Sequence, residues 1–209
     1  MKIAIIAANG RAGKLIMNEA LERGLDVTAI VRDKTKINNS KAKVIEKDLF
    51  DLTKDDLKEF DTVVSAFGVW EEKELNKHSS AMEHLCNILA NTNIRLMVVG
   101  GAGSLYIDSG KKLMDSETFP DIFKPLAKSM SKSFDILKNK KDVLWTYVSP
   151  SADFQADGEK TGQYNIGFDE LLFNSKGESS ISYADYAVAF VDEIQNKKHL
   201  NQRITFCCK

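Results

Sequence analysis

The chain has 209 residues, 43% hydrophobic and 28% charged, enough apolar material for one sizeable core and too much for a disordered or collagen-like chain. Lys and Arg number 29 against 30 Asp and Glu, a net charge of -1, so no basic excess points to nucleic acid or to an anionic membrane surface. No apolar run approaches the roughly 20 residues of a membrane span, and the opening MKIAIIAANG lacks the apolar length and cleavage site of a signal peptide.

Lys2 to Ala7 is a short Ile-rich run and reads as a strand buried on both faces. Asn9-Gly10 makes a turn. Ala12 to Arg23 then carries Leu15, Ile16, Ala20 and Leu21 at helical spacing, up to a stop at Gly24. Asp26 to Val31 predicts a second strand, Arg32 to Lys41 a charged loop, and Lys43 to Ile45 a third strand. Leu52 to Phe60 reads as helical, Thr62 to Ala66 as a strand, and Leu75 to Asn91 as a long helix. Arg95 to Val99 is the fifth strand and runs into Gly100-Gly101-Ala102-Gly103. Ser129 to Lys138 reads as a helix and Val143 to Val148 as a sixth strand, closed by Ser149-Pro150. Ser151 to Ser180 is polar and glycine-rich, with Tyr164, Phe168 and Phe173 scattered through it. Ser182 to Asp185 resembles a capping box opening a helix that ends at Gln195, and Arg203 to Cys207 reads as a last strand.

Strands alternating with helices predict βαβ units, and the right-handed crossover rule then favours a Rossmann-like, doubly wound parallel sheet. Residues 1–209 read as a single domain, with 151–180 forming a small C-terminal lobe over the ligand. Three cysteines, two of them adjacent at Cys207 and Cys208, make no disulfide framework and predict a reducing, cytoplasmic setting. His78, His84 and His199 have no metal-ligand spacing, so no metal site is expected.

The strongest chemical signal is Ala7-Ala8-Asn9-Gly10-Arg11-Ala12-Gly13, between the first strand and the first helix. Gly10 lets the backbone approach a pyrophosphate, and Gly13 lets the helix pack closely on the strand. The helix N-terminus offers free N–H groups and the positive end of its dipole. Ala7 stands where a first glycine is usual. At the end of the second strand, Arg32-Asp33 offers both an arginine suited to the 2′-phosphate of NADP and an acid suited to the ribose 2′-OH of NAD. Arg32 comes first, which favours NADP and leaves NAD open. Ser65-Ala66-Phe67-Gly68 follows the fourth strand and Gly100 to Ser104 the fifth. Both fall at carboxyl ends of strands, where open α/β sheets bind ligands.

These residues carry a resemblance. IAANGRAGKLI, VTAIVRD, DLFD, VVSAFG, VVGGAGSL, WTYVSPSADF, GEKTGQY and ISYADYAVAFVDEI are spread over nearly the whole chain. Together they resemble the atypical short-chain dehydrogenase/reductases, and within them the bacterial NAD(P)H-flavin reductases, near the biliverdin/flavin reductases and the NmrA-like proteins. The resemblance implies that Asn9, Gly10, Arg11, Ala12 and Gly13 hold the pyrophosphate. It places Arg32 at the adenosine ribose or its 2′-phosphate, and Asp48 and Leu49 beside the adenine. Ser65, Ala66, Phe67, Gly68 and Gly100 would line the ribose and nicotinamide, and Ser149 and Pro150 would close the site near the carboxamide. Ser104 is the candidate catalytic residue, orienting the nicotinamide or donating a hydrogen bond.

One departure from the wider superfamily matters. None of Tyr106, Tyr147, Tyr164, Tyr183 or Tyr186 has Lys four residues on, so the Tyr-x-x-x-Lys proton donor of carbonyl reduction is not encoded. Hydride transfer to a flavin needs no such acid, because aligning the donor and acceptor rings is the protein's main task. The expected function is an NAD(P)H-dependent reductase acting on a flavin or similar planar acceptor, with a homodimer as a further expectation. The alternatives are a non-enzymatic dinucleotide-binding redox sensor of the NmrA-like kind and an NAD(P)-dependent epimerase.

Overall fold

The computed structural model describes residues 1–108 and 110–209. Twelve strands and five helices follow in chain order. They are β1 (Lys2–Ile6), α1 (Arg11–Glu22), β2 (Asp26–Val31), β3 (Lys43–Glu46), α2 (Lys54–Leu57), β4 (Thr62–Ser65), α3 (Lys77–Leu89), β5 (Arg95–Val99), β6 (Tyr106–Asp108) and β7 (Lys111–Lys112). The chain continues with α4 (Lys124–Lys138), β8 (Leu144–Ser149), β9 (Asp153–Gln155), β10 (Tyr164–Gly167), β11 (Ser180–Ser182), α5 (Tyr183–Asn196) and β12 (Gln202–Cys208). The main sheet has eight strands in the order β10-β12-β8-β5-β4-β1-β2-β3, with β10 antiparallel and every other pairing parallel. This is a Rossmann-like α/β fold.

β1 shows why the strands are apolar runs rather than alternating ones. Ile3 and Ile5 face α1 and α5 in one core, while Ala4 and Ile6 face α3 in the other. A strand covered on both sides needs apolar residues at every position. No helix among the described residues is long and apolar enough to cross a membrane.

Several expectations shift at their boundaries. α4 starts five residues before the expected Ser129, because Pro125 sits in its first turn, where the missing N–H costs nothing. The helix expected over Leu52 to Phe60 is cut to one turn, opened by a Thr53–Asp56 capping box. The stretch 151–180 contributes β9 and the added strand β10. It is fastened to the helices: Asp185 accepts hydrogen bonds from the Thr161 and Gly162 N–H groups at 2.8 and 2.7 Å, and Lys160 pairs with Glu19 of α1 at 2.6 Å. Ser182 caps α5 as expected, but Asp185 turns its carboxylate to Thr161 and Gly162 rather than completing the box.

At the amino edge of the sheet lies a network of residues far apart in sequence. The buried Arg95 donates to the Glu193 carboxylate, to the Glu193 carbonyl at 3.1 Å and to Thr146 Oγ1. Glu193 also accepts from the His199 backbone N–H at 2.9 Å. Burial alone would push the Glu193 carboxyl up. Hydrogen bonds from Arg95 and His199 outweigh it and hold the group below the ordinary range.

Candidate functional site

The site is the carboxyl edge of the parallel strands. Ala7 leaves β1 with φ +58, a left-handed conformation that costs an alanine about 1–2 kcal/mol and that a glycine would take freely. The Gly10 N–H donates back to the Ala7 carbonyl at 2.9 Å, closing the turn. Gly10 is the N-cap of α1. No side chain caps the helix and its first turn carries no acidic residue. The N–H groups of Arg11, Ala12 and Gly13 therefore lack intrahelical acceptors and point out of the edge as an anion-binding cradle. A Cβ on Gly13 would lie 2.4 Å from the Ala7 carbonyl oxygen, and one on Gly10 would lie 3.2 Å from it. Both glycines thus bring helix and turn together.

Past β2, Arg32 is exposed and makes no hydrogen bond or ion pair with a described residue. Asp33 is turned the other way. Its carboxylate accepts from Thr35 Oγ1 at 2.6 Å and from the Thr35 N–H at 3.0 Å, and these bonds hold it below its ordinary range. The β2–β3 connection contains a short 3-10 turn, Lys34–Lys36, and a second turn closed by the Ala42 N–H on the Asn39 carbonyl at 3.1 Å, but no α-helix. A cleft opens there between α1 and the connection, beside the glycine turn, with Asn9, Lys14, Asn18, Lys36 and Asn39 on its walls.

Asp48 caps the turn Leu49–Asp51 through the Phe50 N–H at 2.9 Å, and Leu49 is buried in the α3-side core. After β4, the Ala66 N–H donates to the Ile6 carbonyl at 3.1 Å. Phe67 stands edge-on to Phe50 and at a steep angle to the His78 ring, with centroids 6.2 Å away in each case. The buried His78, which the sequence marks only as a histidine without metal-ligand spacing, has a positioning role. Its Nε2 accepts from the Val69 N–H at 3.4 Å, so the ring proton sits on Nδ1, which lies 3.1 Å from both the Leu75 carbonyl and Ser129 Oγ. Burial lowers its affinity for a second proton. His78 thus ties the loop after β4 to α4. Only its identity as one of three histidines is visible in the sequence.

Gly100 donates its N–H to the Val148 carbonyl at 2.8 Å. Its missing side chain makes room for Tyr147, whose ring would lie 2.3 Å from a Cβ there. Gly103 is likewise set against Ala127 of α4, 2.7 Å from a would-be Cβ. Packing within the protein therefore demands these glycines, whatever binds above them. Ser104 turns its polar groups to Arg203. It is buried, and both its hydroxyl and its carbonyl oxygen accept from Arg203 Nη1 at 3.0 Å. Arg203 in turn holds Asp169 at 2.6 Å and lies over the Phe134 ring. At the end of β8, the fully buried Ser149 hydroxyl has no hydrogen-bond partner among the described residues, and Pro150 follows it.

Of the aromatic residues scattered through the tail, Phe154 stacks on Tyr183 at 3.6 Å and the Tyr164 hydroxyl donates to Asp192 at 2.6 Å. Burial raises the hydroxyl pKa of Tyr147 to about 12, and those of Tyr164 and Tyr186 also rise. None of the three is tuned to give up a proton.

All the cofactor-side candidates, from Asn9 to Gly13 through Arg32, Asp48-Leu49, Ser65 to Gly68, Gly100 and Ser149-Pro150, thus fall at or just past the carboxyl ends of six adjacent strands. Orphan donors, a close-packed glycine turn and the absence of acid at the helix start fit the pyrophosphate of a dinucleotide. Fold and site define a dinucleotide-binding α/β protein. The chain belongs to the NAD(P)H-binding family, whose model matches residues 7–197. A solved structure from Streptococcus pneumoniae TIGR4, named "a putative NADH-flavin reductase", is 50% identical over 100% of both chains, with a TM-score of 0.95. The uncharacterized protein YwnB of Bacillus subtilis (strain 168) is 44% identical over 98% of this chain and 97% of its own. A structure from Bacteroides thetaiotaomicron, named a "putative epimerase", is 35% identical over 99% of this chain and 96% of its own, with a TM-score of 0.87.

Proposed function

We propose that the protein is an NAD(P)H-dependent reductase that passes hydride to a flavin or a similar planar acceptor. One observation carries this reading: the edge supplies backbone donors for a pyrophosphate but no tyrosine–lysine pair to deliver a proton. An acceptor that takes hydride without a strong protein acid suits such a site better than a carbonyl does. The likeness to the Streptococcus pneumoniae structure named as an NADH-flavin reductase supports the same acceptor. When bound, the reduced nicotinamide would supply the hydride.

The chain's own residues bind and orient. Asn9 to Gly13 would hold the pyrophosphate, and Asp48 with Leu49 would flank the adenine. Ser65 to Gly68 and Gly100 would line the ribose and nicotinamide, with Ser149 and Pro150 closing the carboxamide end. The unpartnered Ser149 hydroxyl has a donor and acceptor to offer there. NADP is the favoured form. Asp33 is engaged with Thr35, while Arg32 makes no hydrogen bond or ion pair with a described residue, and Lys14 and Lys36 line the neighbouring cleft. Three free cysteines suit a reducing cytoplasm.

The test is steady-state oxidation of NADPH and NADH with FMN, FAD or riboflavin added. Flavin-dependent turnover, faster with NADPH, is the expected result. Dinucleotide binding without flavin-dependent turnover would replace the reductase reading with that of a redox sensor.

A further inference from the structure

α4 carries serines on its inner side. The run Ser129-Met130-Ser131-Lys132-Ser133-Phe134 lies mid-helix, where serine competes for the backbone and packs little. Two of the three have partners: Ser129 Oγ lies 3.1 Å from His78 Nδ1, and Ser131 Oγ accepts from Lys112 Nζ at 3.3 Å. Ser133 is only 6% exposed, and its hydroxyl makes no hydrogen bond with a described residue. A buried hydroxyl without a partner is a cost that folded proteins avoid.

Ser133 faces a cavity between α3, α4 and the sheet, at the carboxyl ends of β4, β5 and β8, and two further hydroxyl-bearing residues line it. Ser65 is the last residue of β4. Strand alternation sets it on the same face as Val63, in the α3-side core. It is also 6% exposed, and its hydroxyl also makes no hydrogen bond with a described residue. Tyr147 of β8 is 2% exposed. The Gly101 backbone N–H points to its hydroxyl oxygen, which leaves the phenolic proton without an acceptor among the described residues. Met82, Met130 and His78 form part of the remaining wall.

The cavity leaves about 20 Å³ for the centre of a water, where one water needs roughly 10–15 Å³. A cofactor or an acceptor ring needs a pocket of some hundreds of Å³. We propose that a single water is held in this cavity by the hydroxyls of Ser65, Ser133 and Tyr147. Buried waters make about three hydrogen bonds each, to polar groups that the protein itself leaves unsatisfied. A dry cavity would leave three hydroxyls unpaired in a medium of low dielectric. The water joins Ser65, where the loop after β4 begins, to Gly101 in the loop after β5 by way of the Tyr147 hydroxyl. Those two loops are the ones that would line the nicotinamide. That placement rests on the proposed function, and the water site itself does not.

A crystal structure of the wild type, at a resolution that shows ordered waters, is the direct test. One peak is expected in the cavity, about 2.5–3.0 Å from at least two of the three hydroxyl oxygens. No peak there overturns the proposal, and so do hydroxyls that turn to protein partners instead. A double-mutant cycle with Ser133→Ala and Tyr147→Phe gives a solution readout by urea unfolding. Tyr147→Phe keeps the ring and removes only the hydroxyl, and neither hydroxyl bonds the other. A shared water couples them, so the loss of folded over unfolded protein in the double variant should differ at least about threefold from the product of the single losses. A product that matches within about twofold overturns the proposal. Neither measurement uses a cofactor, so failure of the water site and failure of the reductase reading are told apart.

Discussion

Gly13 and the Ala7 carbonyl are in such close contact that a Cβ on the glycine would lie 2.4 Å from the oxygen. The turn and the first residues of α1 are locked together by a contact that only glycine permits. Gly13→Ala must move the helix off the strand, at a cost of roughly 1–3 kcal/mol of stability. The cradle of N–H groups moves with it, so the affinity for NADPH should fall at least about tenfold. Urea unfolding and calorimetric titration of the same sample check both parts. Unchanged affinity in a destabilised but folded variant would separate the glycine turn from the binding site.

Arg32 should act through the 2′-phosphate alone. Arg32→Ala removes a charge-assisted hydrogen bond worth roughly 1.5–3 kcal/mol, and NADPH binding should weaken accordingly while NADH binding stays near wild type. Arg32 has no hydrogen bond or ion pair to lose, only a weak attraction to the Glu74 carboxylate, so stability should change little. Equal loss for both cofactors would place the arginine against a part that they share.

Ser104→Ala should cost at most about tenfold in the rate of flavin-dependent NADPH oxidation, the worth of one hydrogen bond at about 1.4 kcal/mol. The hydroxyl is already engaged by Arg203, whose bond to the Ser104 carbonyl survives the change. Single-turnover kinetics with excess flavin measures the step directly. A loss of about a thousandfold (roughly 4 kcal/mol) with intact cofactor affinity would make Ser104 a catalytic residue.

Glu193→Gln leaves Arg95 buried without its counter-charge, and near neutral pH it should destabilise the fold by about 3–5 kcal/mol. The folded carboxyl lies below its usual 4.5. Its contribution is therefore fully present above that unfolded value and is lost as pH falls through the folded one. The gap between wild type and variant in urea unfolding should be widest at about pH 7 and shrink below about pH 4. A gap independent of pH would mean that packing, not ionisation, makes the difference.

The parts legible in the sequence are those whose cause is local. β2 and β5 fall where their apolar runs end, because a strand covered by helices on both faces must be apolar throughout. The glycine turn is legible for the same reason, since Gly13 meets Ala7 only six residues away. The tertiary structure decided what depends on distant partners. β10 has no clear alternation of its own and becomes a strand by pairing with β12, whose residues come some forty positions later. His78 becomes a tie for the loop after β4 only because Ser129 is brought beside it. Ser104, next to a glycine past a strand end, reads as a turn residue or a candidate site residue, and the fold buries it against Arg203, 99 residues further on. Buried polar groups must find partners. Which partner each one finds is set by the packing of helices and strands that no local stretch of sequence contains.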